Sequence, residues 1–175
     1  IIGEVVSPLV VVSAPGQELP TLPTSVLLAH DEQEYLGPLS GMAAGMTALK
    51  DLVDVVYVSS CDVPFLRGEF VAHVLNQLEN ADICWPEVGG YRHPLAAAYR
   101  LTVLPTIQRL LKAERYRPVF LAEEHPCRVL TESDFATVDP EMLSLRNVNS
   151  PEEYAEALRL FESNQDKKQR PFQHE

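Results

Sequence analysis

The sequence has few cysteines and no metal-binding pattern built from them. The three cysteines, Cys61, Cys84 and Cys127, are odd in number and widely spaced. Because no CxxC pair and no Cys/His cluster with metal-ligand spacing occurs, a structural zinc site is not expected. Buried, reduced thiols in a cytosolic protein fit this pattern best.

Positive charge is also scarce. The chain has 14 Lys and Arg residues against 25 Asp and Glu residues, which gives a net charge of −11. Broad binding to nucleic acid or to an anionic membrane needs clustered Lys and Arg, so this balance argues against both. A small phosphorylated ligand is still compatible with it, because a few local cations or backbone N–H groups suffice to hold one.

Long hydrophobic runs are missing too. No apolar stretch approaches the roughly 20 residues that cross a bilayer, and no secretory signal peptide is visible. The chain starts at Ile1 rather than at a methionine. We therefore expect no membrane span, and we expect that the true beginning of the protein lies upstream of Ile1.

The sequence does contain enough apolar residues to form a single hydrophobic core. Hydrophobic residues make up 46% of its 175 residues, which is ordinary for a globular domain. We predict one domain over residues 1–161. The polar segment 162–175 is predicted to be a disordered tail.

The hydrophobic pattern alternates between short apolar runs and amphipathic stretches. Strands are predicted at Leu9–Val12, Ser25–Ala29, Val55–Val58, Ala81–Pro86 and Leu95–Tyr99, with shorter ones at Val119–Leu121 and Cys127–Leu130. Helices are predicted from Pro38 onward, at Glu69–Leu78, at Leu101–Ala113 and from Pro151 to Phe161. This order predicts a three-layer α/β fold with a mostly parallel twisted sheet and an antiparallel excursion at the Gly89-Gly90 turn.

Asp62 stands at the centre of this pattern. It follows Val55–Val58, which reads as a strand buried on both faces. Ligands of open α/β sheets bind at the carboxyl ends of such strands, and a carboxylate there suits Mg²⁺. Two alternatives stay open: Asp62 starts a turn or caps a helix, or the adjacent Cys61 is a nucleophile, although no base is tied to it by sequence.

Other polar residues also follow predicted strands. Ser13 and Asp31 do so, and with Asp62 they are expected to meet along one rim of the sheet. Gly41 and Gly45 lie in the helix predicted to start near Pro38. They allow either a ligand or a neighbouring strand to approach closely.

Four stretches together resemble the molybdenum cofactor guanylyltransferase family, within the nucleotidyltransferases of Rossmann-like fold. They are Gly37-Pro38-Leu39-Ser40-Gly41, Cys61-Asp62-Val63-Pro64-Phe65-Leu66, Arg92-His93-Pro94-Leu95 and Asn147-Val148-Asn149-Ser150-Pro151-Glu152-Glu153. That family transfers GMP from GTP to the phosphate of molybdopterin and releases pyrophosphate. The resemblance implies a cytoplasmic, Mg²⁺-dependent enzyme that makes transient contacts with other cofactor-synthesis proteins or acceptor enzymes.

The resemblance also implies a role for each matching residue. Asp62 would bind Mg²⁺ and, with Asn149, act in catalysis. The nucleotide would be held by Ser13, Asp31, Gly37, Pro38, Leu39, Gly41 and Asp62. The pterin side would consist of Arg92, His93, Asn147 and Asn149. Neutral Asn amides donate to phosphate oxygens without repelling them; the alternative for both asparagines is a turn before the last helix.

One family feature is absent. In the family, the glycine-rich loop, Leu-Ala-Gly-Gly followed by Arg-Met-Gly and a Lys, belongs between the first strand and the first helix, which here would lie upstream of Ile1. That first strand would lie between the strands at Leu9 and Val55. A sheet without that strand leaves backbone groups unpaired, so we expect a preceding segment and no guanylyl transfer by the chain as written. Alternative functions are transfer from CTP or to a sugar phosphate, a non-catalytic nucleotide-binding homologue, and an acidic partner module.

Overall fold

The chain forms alternating strands and helices in a computed structural model that describes residues 1–31 and 37–169. The strands are β1 (Leu9–Ser13), β2 (Val26–His30), β3 (Val55–Ser59), β4 (Ile83–Val88), β5 (Tyr91–Arg92), β6 (Ala96–Arg100) and β7 (Cys127–Leu130). The α-helices are α1 (Ile2–Val5), α2 (Pro38–Leu49), α3 (Gly68–Asn76), α4 (Leu104–Lys112) and α5 (Pro151–Gln169). Short 3₁₀ helices occupy Leu101–Val103, Pro118–Glu123, Glu132–Phe135 and Leu143–Leu145.

The strands form two sheets. β1 and β2 are a parallel pair, and the other five strands form a mixed sheet in the order β3-β6-β4-β5, with β7 parallel to β4. β6 runs antiparallel to both β3 and β4. Strands β3, β4 and β7 therefore share one direction, and their carboxyl ends share one rim, which we call the main rim.

Helices cover both faces of the five-stranded sheet. On one face, Trp85 and Tyr99 pack in a cluster with residues of α2 and α4. On the other, Cys84 and Ala98 pack with α3 and Phe135. Because neighbouring residues of a strand point to opposite faces, this alternation produces the expected three layers of a mixed α/β fold.

Two expectations about secondary structure were wrong. Val119–Leu121 lies in the 3₁₀ helix Pro118–Glu123 and is not a strand, because Pro118 fits the first turn of a helix, where its missing N–H is not needed. The last helix continues past Phe161 to Gln169, inside the segment expected to be disordered; residues 170–175 lie outside the described residues. Among the described helices, none is long and apolar enough to cross a membrane.

Candidate active site

Asp62 lies on the main rim, just beyond the end of β3, as predicted. Its side chain is partly buried, and its Oδ1 atom is buried without a hydrogen-bond partner. Burial opposes ionisation, but hydrogen bonds from the side chains of Asn147 and Ser60 and from its own backbone outweigh this effect and hold the pKa of Asp62 below its ordinary value. The carboxylate is therefore charged at neutral pH while one of its oxygens lacks a donor.

The asparagine segment is brought to Asp62 by a backbone contact. The Val148 N–H donates to the Asp62 carbonyl oxygen at 2.8 Å, which explains why the Asn147 side chain reaches the carboxylate. Asn149 has a different local role, since its backbone N–H donates to Glu153 Oε2 at 2.7 Å and so helps to start α5. Its exposed side chain is left at the same turn.

Arg92 and His93 lie on a hairpin that rises from the main rim. The hairpin connects back to β3 through Leu95, whose carbonyl accepts a hydrogen bond from the Ser60 N–H at 3.0 Å. Arg92 pairs with Glu87 at 3.2 Å. Half-burial lowers the pKa of His93, so this ring is neutral at physiological pH.

Ser13 and Asp31 form a second polar group, at the ends of β1 and β2. Ser13 Oγ lies 2.9 Å from His30 Nδ1, and Ser40 Oγ donates to Asp31 Oδ1. An open cavity of about 400 Å³ borders this group, lined by His30, Asp31, Ser40, Thr47, Leu111 and Lys112. The polar group around Asp62 and the polar group of Ser13 and Asp31 are each held by hydrogen bonds among their own residues. That the two groups line a single cleft stays a prediction.

The segment Gly37–Gly41 starts α2. Gly37 has a φ of +77°, a left-handed conformation that glycine adopts without strain, and Pro38 and Leu39 follow in the first helical turn. A Cβ on Gly41 would lie 3.9 Å from both Asp31 Oδ2 and Val12 Cγ1, and one on Gly45 would lie 3.1 Å from Val12 Cγ2. Both glycines thus let α2 pack closely on β1, and Gly41 also lies near the Asp31 carboxylate.

Asp62 has a donor set that fits a magnesium ion. Among the described residues, no three His, Cys, Asp or Glu side chains cluster as a ready-made metal site. Mg²⁺ does not need such a cluster, because it keeps several waters and binds through one or two carboxylates plus substrate phosphates. The buried Oδ1 atom of Asp62 without a partner fits this kind of site.

Sequence reasoning missed several polar neighbours of these residues. Ser60 and Ser40 bond the two carboxylates, and His30 bonds Ser13. Ser60 and His30 each lie within two positions of a predicted site residue. Ser60 and His30 follow or end predicted strands, and this position was the sequence signal that could have identified them.

The fold is shared with other proteins whose structures are solved. The chain superimposes on molybdopterin-guanine dinucleotide biosynthesis protein A from Archaeoglobus fulgidus with a TM-score of 0.67, at 21% identity over 78% of this chain and 69% of that one. It superimposes on 2-C-methyl-D-erythritol 4-phosphate cytidylyltransferase from Thermus thermophilus with a TM-score of 0.61, at 15% identity over 88% of this chain and 81% of that one. These two likenesses show a shared fold.

The family to which the chain belongs follows from the sequence. A family model described as the MobA-like NTP transferase domain matches residues 2–127, and the chain belongs to this family. The matched range contains Asp31, Asp62, Arg92 and His93, whereas Asn147 and Asn149 lie beyond it.

Two curated relatives carry the name molybdenum cofactor guanylyltransferase. The one from Desulfosudis oleivorans is 28% identical over 134 residues, which are 76% of this chain and 65% of the relative. The one from Mycobacterium bovis, described as probable, is 34% identical over 118 residues, which are 65% of this chain and 56% of the relative. The chain therefore spans less than two thirds of the length of these relatives.

Proposed function

We propose that this chain carries the main rim of an enzyme that transfers GMP from GTP to molybdopterin, with Mg²⁺, and releases pyrophosphate. The observation that carries the proposal is Asp62, a charged carboxylate at a strand end with a buried oxygen that lacks a partner. The names of the relatives support the guanylyl donor and the molybdenum-cofactor acceptor.

Asp62 would be the protein ligand of the ion. Bound Mg²⁺ would neutralise charge on the nucleotide phosphates. The chain itself has to hold the carboxylate in place, and the Val148 N–H to Asp62 O bond, with the Asn147 side chain, does this. Asn147 and Asn149 would then donate to the phosphate of the acceptor from the same turn, which positions the two anionic groups for transfer.

Asp31 would select guanine. The base-pairing edge of guanine presents two neighbouring N–H donors, and a carboxylate can accept both. Asp31 borders the open cavity at the end of β2, and Ser40 orients its carboxylate. Cytosine offers one exocyclic donor on the same edge, so this carboxylate favours guanine over cytosine.

A paired substitution tests the metal-ligand role. Asp62→Asn keeps the shape of the side chain and removes its charge. Asp51→Asn is the matched control, because Asp51 is an exposed aspartate just after the C-terminal end of α2. In the protein that includes the expected segment upstream of Ile1, with radiolabelled GTP, molybdopterin and Mg²⁺, we expect Asp62→Asn to lower the transfer rate at least about a hundredfold and the Asp51→Asn control to match the unaltered protein. Mn²⁺ binding in the presence of GTP, followed by electron paramagnetic resonance, should be lost in the same variant. Retained Mn²⁺ binding and transfer in Asp62→Asn would refute this role.

A cytidylyl donor is the second candidate, since the chain also has the fold of a cytidylyltransferase. Calorimetric titration with GTP and CTP decides between the two. We expect tighter binding of GTP, and Asp31→Ala should weaken it while leaving CTP binding little changed. Tighter binding of CTP by the unaltered chain would refute the guanine assignment.

A further inference from the structure

Asp139 is a completely buried carboxylate in the segment that leads to Asn147. Among the residues that the structure describes, it is the only Asp, Glu, Lys or Arg that is buried to this degree. Burying a carboxylate is costly unless hydrogen bonds replace those that it made with water. The contacts that replace them here show which part of the chain this residue holds in place.

The Asp139 side chain accepts hydrogen bonds from two backbone N–H groups further along the same segment. The Leu143 N–H donates to Oδ1 at 3.2 Å, and the Ser144 N–H donates to Oδ2 at 2.8 Å. Both groups lie in the 3₁₀ helix Leu143–Leu145, and the first N–H groups of a helix lack partners inside it. The carboxylate therefore caps this helix and fixes the direction in which the chain leaves it toward Asn147.

The chain between Asp139 and this helix is held in a strained conformation. Met142 has a φ of +50°, in the left-handed region, which is unfavourable for residues other than glycine. Its N–H donates to the Asp139 carbonyl oxygen at 2.9 Å, and its side chain packs against the core cluster that contains Phe135. Such conformations persist where the surrounding structure determines them, and they are concentrated at functional sites. The strained turn therefore makes this segment a candidate for a functional role.

A second set of contacts ties the same segment to the loop after β3. The Arg67 N–H donates to Ser144 Oγ at 3.2 Å, and Arg67 Nη1 lies 3.8 Å from Asp139 Oδ1. Ser144 is 1% exposed, so water cannot readily replace the bond to its hydroxyl group. Arg67 comes five residues after Asp62. The segment that Asp139 caps is therefore joined directly to the loop that carries Asp62.

The two segments meet again at Asp62 itself. The Val148 N–H donates to the Asp62 carbonyl oxygen at 2.8 Å, and the Asn147 side chain bonds the Asp62 carboxylate. Asn147 comes three residues after Ser144. The two segments are thus bonded to each other at both ends, so a displacement of Ser144 would shift Asn147 relative to Asp62.

We propose that Asp139 is a positioning residue, which through the turn at Ser144 places the Asn147 side chain against the Asp62 carboxylate. This inference rests on the proposed function only for the metal ion, since the position of Asn147 can be measured without metal or substrate. Partners of a metal ligand orient it, and their loss typically weakens metal binding about 10- to 100-fold. Asp139 acts one step further from the ion, through Asn147.

Nuclear magnetic resonance of the Asn147 side-chain amide tests the positioning, in the protein that includes the expected upstream segment. Asp139→Asn keeps the size of the side chain but leaves one acceptor oxygen where the carboxylate has two. We expect the Asn147 amide signals to move toward their positions in Asp62→Ala, where the bond is absent. Asp134→Asn is the matched control, because Asp134 caps the preceding 3₁₀ helix, and it should leave these signals unchanged.

Ser144→Ala tests the same connection from its other side. It removes the acceptor of the Arg67 N–H and keeps the backbone N–H that bonds Asp139. We expect the Asn147 amide signals to move in the same direction as in Asp139→Asn. Unchanged signals in folded Asp139→Asn would overturn the inference, and if that variant does not fold, unchanged signals in Ser144→Ala would do so.

Mn²⁺ binding in the presence of GTP, followed by electron paramagnetic resonance, tests whether Asp139 acts through Asn147. We expect Asp139→Asn to weaken Mn²⁺ binding about tenfold. It should have no further effect when Asn147→Ala is already present, because both changes break one connection.

Fully additive losses in the double variant would show that Asp139 acts by another route, and the inference would then be wrong. The proposed function can fail separately. If the unaltered protein does not bind Mn²⁺ while the Asn147 signals still depend on Asp139, the positioning role is supported and the magnesium role of Asp62 is refuted.

Discussion

The two sheets of this molecule differ in how completely they are buried. In the five-stranded sheet, Ile83 of β4 is 0% exposed, and helices lie on both faces. In the two-stranded sheet, the consecutive residues Leu27 and Leu28 of β2 are 39% and 49% exposed. The Asp62 half of the candidate site therefore lies on a sheet covered on both faces, and the Ser13–Asp31 half lies on a sheet whose strand β2 is partly exposed.

The largest expected change in the free energy of unfolding comes from a matched pair of substitutions, one in each sheet. Ile83→Ala should lower the free energy of unfolding by about 2–5 kcal/mol, because it leaves a cavity between packed layers. Leu28→Ala should change it by no more than about 0.5 kcal/mol, because the side chain is half exposed. Urea unfolding followed by circular dichroism measures both values, and equal losses would abolish the distinction between the sheets.

A smaller loss of stability is expected when one hydroxyl group is removed from each sheet. Tyr99→Phe removes the relay between Trp85 and Pro94 and leaves a buried N–H without an acceptor, at a cost of about 1–3 kcal/mol. Ser13→Ala removes a bond to the exposed His30, which water can replace, so the loss should be below about 1 kcal/mol. A larger loss in Ser13→Ala than in Tyr99→Phe would reverse the comparison.

The smallest expected effect is a pH dependence at the main rim. The pKa of Asp62 is lowered in the folded chain, so its ionised form contributes stability above the unfolded pKa of about 3.9, and this contribution is lost as the pH falls through the folded value. Asn147→Ala removes one of the bonds that lower this pKa. The Asp62 pKa should therefore rise, and the variant should be less stable than the unaltered chain at pH 7.

Carbon-detected nuclear magnetic resonance of the Asp62 carboxyl group measures that pKa directly. The difference in stability between Asn147→Ala and the unaltered chain should shrink below pH 4. An unchanged Asp62 pKa in the variant would show that Asn147 does not support the carboxylate.

Much of the fold could be predicted from local patterns. The β-branched run Val55–Val58 and the amphipathic helix after Gly68 were found because burial on one or two faces leaves a periodic trace. Val119–Leu121 was misassigned, since three apolar residues fit a strand and a 3₁₀ turn equally well. Pro118 was the signal that favoured the turn.

The candidate site was less predictable. Asp62 was found from its place after a strand, and the contact with Asn147 depends on a bond between residues far apart in sequence. No local pattern relates Glu132 to Gly89, because this contact arises where the segment after β7 packs beside the β4–β5 hairpin.

By itself, the sequence determined where strands and helices form, which of their ends carry carboxylates, and which family the chain resembles, because these properties follow from short-range periodicity and residue type. Only the tertiary structure decided that the strands divide into a packed and a partly exposed sheet, and that one oxygen of Asp62 lies buried without a hydrogen-bond donor. It also decided that Tyr91 is exposed on the β4–β5 hairpin. Burial and unmet hydrogen-bonding capacity are set by what surrounds a group in three dimensions, and neighbours along the chain supply only a small part of those surroundings.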